Sequence, residues 1–150
     1  MSNEKVKLLA KDLSKEFPRS PRETIAGYVV ATRTLDKCRA VIAGTADEYH
    51  YDCPLDQVFF DFTELDADKF KAFVAEGATD AEVADYIQEN AKKREKVEIV
   101  KWNNSLRYKS ISDMPENLQE FLEDYIEEYV PKHRPVYVWF DVYDLEEGRI

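Results

Sequence analysis

Apolar residues recur at helical spacing along most of the chain, with polar residues between them. The clearest stripe begins near Asp113 and Pro115 and ends before Pro131, with apolar residues at every third or fourth position. This pattern is typical of an amphipathic helix, and similar stripes predict shorter helices elsewhere in the chain. The polar faces of the predicted helix carry the acidic residues Glu120, Glu123, Asp124, Glu127 and Glu128.

Local signals predict where three of the other helices begin. Pro54 suits the first position of a helix, where the missing N–H is not needed. Asp66 can accept hydrogen bonds from the first turn of the next helix. Thr79 and Glu82 have the spacing of a capping box, in which each side chain accepts from the other residue's backbone N–H.

The segment from Ser20 to Gly44 is predicted as one long helix. Ser20 and Glu23 fit a capping box with Pro21 at the first helical position, and Gly44 fits a C-terminal stop. Several β-branched residues lower the helix propensity of this segment, and Gly27 is a point where the helix could kink.

Two interpretations are open for residues 136–143, where apolar and polar or aromatic residues alternate as in a strand. No other segment offers a convincing partner strand, and a lone strand leaves backbone donors unpaired. The segment therefore either pairs across a symmetric dimer or forms a short helix with Trp139, Tyr143 and Leu145 facing inward. We favour the helix.

Together the apolar stripes predict an all-α protein, a compact bundle of about six helices. We expect a single domain over residues 1–150, with the C-terminal segment as the one candidate strand. A chain of 150 residues is long enough to bury a core without disulfides or structural metals. The segment at residues 92–96 is too short to divide the chain into domains.

The formal net charge of −10 argues against nucleic-acid and membrane-surface partners, because such a surface repels phosphates and anionic lipids. The basic run Lys92–Arg94 is interpreted as a solvated helix end. No stretch approaches the roughly 18 apolar residues that span a bilayer. Two cysteines and no secretory signal predict a cytoplasmic protein with reduced thiols.

Short runs spread over most of the chain carry a family resemblance. They are Ser20–Thr24, Gly27–Tyr28, Asp36–Lys37, Arg39–Ala40, Gly44, Glu48–Tyr51, Cys53–Asp56, Ala78–Asp80, Trp102–Asn103, Trp139–Asp141 and Asp144–Leu145. With these runs the chain resembles the bacterial domain-of-unknown-function family numbered 5069. The resemblance implies no activity, and it carries no catalytic residue over to this chain.

The first candidate for chemistry is the group Arg33, Asp36, Lys37 and Arg39. Asp36 lies three residues from each arginine, so the three share one helix surface. Two guanidinium groups beside a carboxylate could hold an anionic ligand. A salt-bridge network that fixes helix packing has the same sequence pattern and is the favoured interpretation.

The second candidate is a possible thiol nucleophile at Cys53. If Pro54 opens a helix, Cys53 is its N-cap, where the helix dipole favours a thiolate. His50 is near enough in sequence to assist, and Asp56 could orient the imidazole. The simpler interpretation, which we favour, is an inert structural cysteine beside a loop histidine.

Trp102 and Asn103 form a third candidate, either for ligand binding or for core packing. Neither a metal nor a cofactor is predicted, because a zinc site needs four ligands and no phosphate loop or dinucleotide fingerprint is present. The leading functional hypothesis is a non-catalytic binding or assembly module. Its partner would be a second copy in a homodimer, or an unidentified small molecule or protein. The alternative is a small-molecule enzyme or anion-binding protein that uses the Arg/Asp helix and the Cys–His loop.

Overall fold

The computed structural model describes the backbone of residues 2–150 and the side chains of residues 4–150. The chain divides into two compact units, the first ending at Glu95 and the second spanning Lys96–Ile150. Within the described residues it forms eight α-helices and one two-stranded sheet. The all-α prediction is therefore confirmed, with eight helices where about six were predicted.

The first unit contains five helices and the small sheet. Its elements are α1 (Ser2–Leu9), β1 (Thr24–Ile25), β2 (Tyr28–Val29), α2 (Ala31–Ala43), α3 (Pro54–Thr63), α4 (Ala67–Ala75) and α5 (Asp80–Asn90). Helix α2 is central, because α1, α3, α4 and β1 all pack against it. Every residue from Ala31 to Ala40 is buried, polar side chains included. Edge-to-face contacts among Phe59, Phe60 and Phe70 fill the core beside it.

The second unit contains α6 (Lys96–Arg107), a 3₁₀ turn (Ile111–Asp113), α7 (Glu116–Tyr129) and α8 (Trp139–Glu146). Helix α8 packs against α6, and α7 packs against the 3₁₀ turn. The apolar cluster of the second unit consists of the buried residues Val130, Val142 and Leu145.

The three predicted helix starts are confirmed. Pro54 is the first residue of α3. Asp66 Oδ1 accepts from the backbone N–H groups of the first turn of α4 at 2.9 and 3.0 Å. Thr79 and Glu82 form the capping box of α5, with distances of 3.0 and 3.2 Å. These ends depend on neighbouring residues alone, which is why the sequence reveals them.

The single long helix predicted from Ser20 to Gly44 is wrong from Ser20 to Val30, because α2 starts at Ala31. Ser20 begins a turn instead, in which its carbonyl accepts from Glu23 N at 3.1 Å. The chain then forms an antiparallel hairpin, and α2 starts at Ala31. Gly44 does end the helix, in the left-handed conformation at φ 77°.

The hairpin follows from the two residues at its tip. Ala26 and Gly27 have φ values of 55° and 87°, as a two-residue turn between antiparallel strands requires. Thr24 pairs with Val29, so β-branched residues that weaken a helix lie in strands. Val30 follows at φ 73°, a strained value for a β-branched residue, and its N–H donates to Pro21 O at 2.8 Å.

The C-terminal segment is the helix α8, as favoured, and the strand interpretation is wrong. Asp141 explains why, because its Oδ2 accepts from the backbone N–H groups of Tyr137 and Val138 at 2.9 and 3.1 Å. These two donors would have needed a partner strand. The carboxylate satisfies them locally, which allows the helix to begin at Trp139.

The prediction of a single domain over residues 1–150 stays a prediction. The two units are each compact, but compactness does not measure whether they unfold together.

Candidate functional site: buried charges on α2

Helix α2 carries the four charged residues that the sequence offers as ligand candidates. Arg33, Asp36, Lys37 and Arg39 are each no more than 4% exposed. Removing a charge from water is costly unless it is paired and hydrogen-bonded. Their partners therefore decide whether the cluster supports the fold or is available to a ligand.

Asp36 is paired with Arg19, which lies before the hairpin. The Asp36 carboxylate accepts from Arg19 Nε at 3.0 Å, from Arg19 Nη2 at 2.9 Å and from the Arg19 backbone N–H at 2.8 Å. Arg19 also donates through Nη1 to Asp80 Oδ2 at 2.8 Å. Asp80 is the first residue of α5, so Arg19 joins α2 to the start of that helix.

Arg39 reaches the same start of α5 from α2. Its Nη1 donates to Asp80 Oδ1 at 2.8 Å, and its Nη2 donates to the Ala78 carbonyl at 2.8 Å. Charges thus alternate along one chain of contacts from Asp36 through Arg19 and Asp80 to Arg39. We call these four residues the α2–α5 network.

The pKa values within the α2–α5 network follow from these contacts. Burial alone would lower the pKa of Arg19, but its hydrogen bonds to Asp36 and Asp80 outweigh burial and raise it. Burial would raise the pKa of Asp80, but the guanidinium groups of Arg19 and Arg39 hold it below its ordinary value. Arg19 and Asp80 therefore both stay ionised at neutral pH.

Arg33 lies next to this network. Its Nη1 donates to the Arg19 carbonyl at 3.3 Å, and its guanidinium carbon is 5.6 Å from the centre of the Tyr49 ring. The aromatic face offers a buried cation a favourable environment.

Lys37 belongs to a separate cluster with Asp56 and Cys53 at the start of α3. Its Nζ lies 2.9 Å from Asp56 Oδ2 and 3.1 Å from Cys53 Sγ. Asp56 is fully buried and also accepts from Thr34 Oγ1 at 2.6 Å and from Asp52 N at 2.9 Å. We call Lys37, Cys53 and Asp56 the amine–thiol cluster.

The candidate catalytic residues are only partly brought together. Asp56 accepts from the backbone N–H of Cys53 at 3.4 Å, as the third residue of a capping box does. His50 is exposed, and the described part of the chain contains no hydrogen bond between its imidazole and Cys53. The polar neighbour of the thiol is the amine of Lys37, from a different helix.

The other thiol, that of Cys38, lies within the apolar core. It is fully buried, and desolvation raises its pKa to about 12. Both cysteines are free.

Trp102 and Asn103 lie on α6, in the second unit. Asn103 is buried and Trp102 is half-buried, so α6 holds both against the interior of the molecule. This placement suits core packing.

Sequence reasoning missed Arg19, Thr34 and Asp80. Asp80 is 61 residues from Arg19 and 41 residues from Arg39, so no local spacing indicates these pairs. The hydroxyl of Thr34 donates to Asp56 Oδ1 across 22 positions of the chain. The missed residues share one property, which is that their partners lie on other elements.

Three buried polar atoms lack a partner among the described residues, namely Thr32 Oγ1, Arg39 Nε and Trp139 Nε1. Within the described side chains, no three His, Cys, Asp or Glu residues are placed to share a metal ion.

A different kind of surface lies on α7. In this fully described helix, Leu122 is the one residue in the buried class. Phe121, Tyr125 and Tyr129 follow each other at four-residue spacing, with ring centres 5.9 and 4.6 Å apart. Phe121 is 59% exposed and Tyr129 is 46% exposed.

Acidic residues cover the remaining exposed side of α7. The helix has six carboxylates and no basic residue, a formal charge of −6 within 14 residues. Four of these carboxylates line a surface depression of about 550 Å³. We call this surface the acidic–aromatic face. Its members are Phe121, Tyr125 and Tyr129 with Glu116, Glu120, Glu123, Asp124, Glu127 and Glu128.

The chain belongs to the family described as Domain of unknown function (DUF5069), whose model matches residues 15–149. The match covers α2 and α7, and it confirms the resemblance of the short sequence runs. No curated protein matches the chain at a significant level. Among the helices of residues 2–150, none is both long and apolar enough to cross a membrane.

Proposed function

We propose that the protein is a non-catalytic binding module that docks a partner protein on the acidic–aromatic face of α7. The partner segment is an amphipathic helix with lysine or arginine on one side and apolar residues on the other. The observation that carries this proposal is a row of three aromatic rings, of which Phe121 and Tyr129 are exposed, beside six carboxylates on one helix.

The aromatic row supplies the apolar contacts of the proposed interface. Large aromatic residues carry most of the binding energy at protein interfaces, because they bury much area at little conformational cost. More than half of the Phe121 side chain is exposed, so this ring contributes little to the core and is open to a partner. An amphipathic helix presents apolar residues at the same four-residue spacing and could pack along the row.

The carboxylates supply selectivity for a basic partner. Six negative charges on one helix accelerate the approach of a cationic segment and disfavour an acidic one. The same charges oppose binding to nucleic acid or to anionic lipid.

In this proposal the charged residues of α2 have a structural role, because their partners lie within the protein. Asp36, Lys37 and Arg39 each have an ion-pair partner within 2.9 Å. An anion that binds Lys37 would have to displace the buried carboxylate of Asp56, and one that binds Arg39 would have to displace the half-exposed carboxylate of Asp80. The free thiols of Cys38 and Cys53 support the cytoplasmic location that we propose alongside.

A homodimer stays a prediction. It was inferred from the apolar residues at positions 136–143, and α8 now buries Trp139, Phe140 and Val142. The apolar surface left for a second copy in this segment is therefore smaller than the alternating pattern indicates.

The test uses a synthetic peptide that forms a basic amphipathic helix, with leucine on one face and lysine on the other. We expect saturable binding to the full chain by isothermal titration calorimetry, weakening as salt is raised. The double variant Phe121→Ser/Tyr129→Ser should bind the peptide at least about 30-fold more weakly, as expected for the loss of two interface aromatics.

Two controls separate this site from general stickiness. Tyr108→Ser removes another aromatic that is 75% exposed and lies outside α7, and it should leave the affinity unchanged. A peptide of the same composition without helical periodicity should bind weakly to every variant. Equal loss in the Tyr108 and α7 variants, or equal binding of both peptides, would contradict the proposal.

A further inference from the structure

The amine–thiol cluster has a geometry that the binding function does not use. Lys37 Nζ donates to Cys53 Sγ at 3.1 Å, and the Lys37 side chain is 4% exposed. Cys53 is half-buried at the N-cap of α3 and is therefore partly open to solvent, whereas Lys37 is buried. A buried amine and a thiol in contact form a reactive pair once the sulfur is oxidised.

We propose that Cys53 is a site of oxidation by hydrogen peroxide and that its sulfenic acid condenses with Lys37 to a sulfenamide. The new S–N bond would join α2 covalently to the start of α3.

The first step oxidises the sulfur by two electrons. The Cys53 thiolate attacks one peroxide oxygen, the O–O bond breaks, and hydroxide leaves. That hydroxide takes up the proton that the thiol released, so the products are the sulfenic acid and one water. The Lys37 side-chain nitrogen lies 3.1 Å from Sγ, and Cys53 stands at the N-terminus of the ten-residue helix α3. Cys38 has no access to solvent, and burial raises its pKa to about 12 although Lys71, Tyr51 and Arg39 act in the opposite direction.

The second step changes no oxidation state. The lysine amine attacks the sulfenic sulfur, the S–O bond breaks, and hydroxide leaves and is protonated to a second water. Sulfenic acids are known to condense with nitrogen nucleophiles in this way. The amine must first lose a proton, and Asp56 Oδ2 lies 2.9 Å from Nζ to accept it. Overall one thiol, one amine and one peroxide give one sulfenamide and two waters.

The position of the Lys37 amine favours it over a second thiol as the group that reacts with the sulfenic acid. Nζ lies in contact with Sγ before oxidation, so no chain movement is needed to bring the two atoms together. Dithiothreitol should reverse the product, because a thiol can attack the sulfur of an S–N bond.

The test treats the Cys38→Ala variant with hydrogen peroxide and follows its intact mass. Removing Cys38 is necessary, because a disulfide would change the mass equally. We expect the mass to fall by about 2 Da and to recover with dithiothreitol. Trypsin should then fail to cleave after Lys37 and should release residues 34–39 joined to residues 40–69.

The contrary outcomes are equally concrete. A product heavier by about 16 or 32 Da, with free residues 40–69 after trypsin, would show that sulfenic or sulfinic acid forms without condensation and would overturn the proposal. The Cys38→Ala/Cys53→Ser variant should show no loss of mass. Because the joined peptide is detected with Lys37 in place, the test does not depend on whether a Lys37 variant folds.

Discussion

Replacing Lys37 by methionine tests whether the amine–thiol cluster supports the fold. Methionine keeps most of the aliphatic length of lysine and removes the charge. The change leaves the fully buried Asp56 carboxylate without its cation. Three donors to Asp56 remain, namely Thr34 Oγ1 and the backbone N–H groups of Asp52 and Cys53.

The expected loss follows from these contacts. Breaking a buried ion pair by removing one partner typically costs about 3–5 kcal/mol, because an uncompensated charge stays buried. The three remaining donors still stabilise the Asp56 carboxylate, so we expect the lower end, about 3 kcal/mol. Asp56→Ala should cost more, because it leaves the buried ammonium of Lys37 and the hydroxyl of Thr34 without their main acceptor, each lost bond adding about 1–3 kcal/mol.

Urea unfolding followed by far-UV circular dichroism measures this loss. With a urea dependence of about 1–3 kcal/mol per molar, the midpoint of Lys37→Met should fall by about 1–3 M. The matched control is Lys92→Met, which breaks the 3.3 Å pair with Glu64, where both side chains are more than half exposed. That control should lose less than about 1 kcal/mol. Equal small losses in both variants would refute the reasoning.

Three further predictions concern cooperativity, pH and thiol access. Both tryptophans, Trp102 and Trp139, lie in the second unit, so their fluorescence reports the unfolding of that unit. If the chain is a single domain, the urea midpoint by tryptophan fluorescence should equal the midpoint by circular dichroism, and different midpoints would contradict it. The pKa of Asp80 is lowered in the folded protein, so its contribution to stability is complete above its unfolded pKa and is lost as the pH falls through the folded value. The stability difference between wild type and Asp80→Asn should therefore be constant from neutral pH down to about pH 5 and shrink below about pH 4, and a difference that grows on acidification would contradict this. Iodoacetamide at pH 8 should label Cys53 in the native protein and Cys38 only after unfolding, because burial raises the pKa of Cys38 to about 12. Labelling of Cys38 in the native protein would argue against its burial.

The elements that sequence reasoning predicted well are those with local causes. The helix starts at Pro54, Asp66 and Thr79 each depend on residues within one turn. The hairpin was missed because Ile25, Tyr28 and Val29 have the three-four spacing of a helix face as well as positions in paired strands. Only the turn conformation at residues 26–27 separates these alternatives, and it lacks the usual Asn-Gly signal.

The candidate site was predictable in its residue types and not in its pairing. The sequence placed Arg33, Asp36 and Arg39 on one helix and indicated a salt-bridge network, which is what α2 contains. It predicted an interhelical network without naming the partners, which are Arg19 for Asp36 and Asp80 for Arg39. For Cys53, proximity in sequence pointed to His50, although tertiary packing brings Lys37 to the sulfur. Long-range pairs depend on how helices pack, and that information is not local.

The distribution of charge constrains how a second copy could associate. Arg19, Lys37 and Arg39 are matched by Asp36, Asp56 and Asp80, so these three ion pairs contribute no net charge. Helix α7 contributes −6 toward the total of −10, and all six carboxylates belong to the acidic–aromatic face. A two-fold symmetric dimer places the same surface of both copies in contact, so association through α7 would bring twelve carboxylates together. Repulsion of that size opposes self-association through this face at low salt and is absent when the occupant is basic. Electrostatics therefore favour another surface for a homodimer, and the occupant that we propose for the α7 face is a partner of opposite charge.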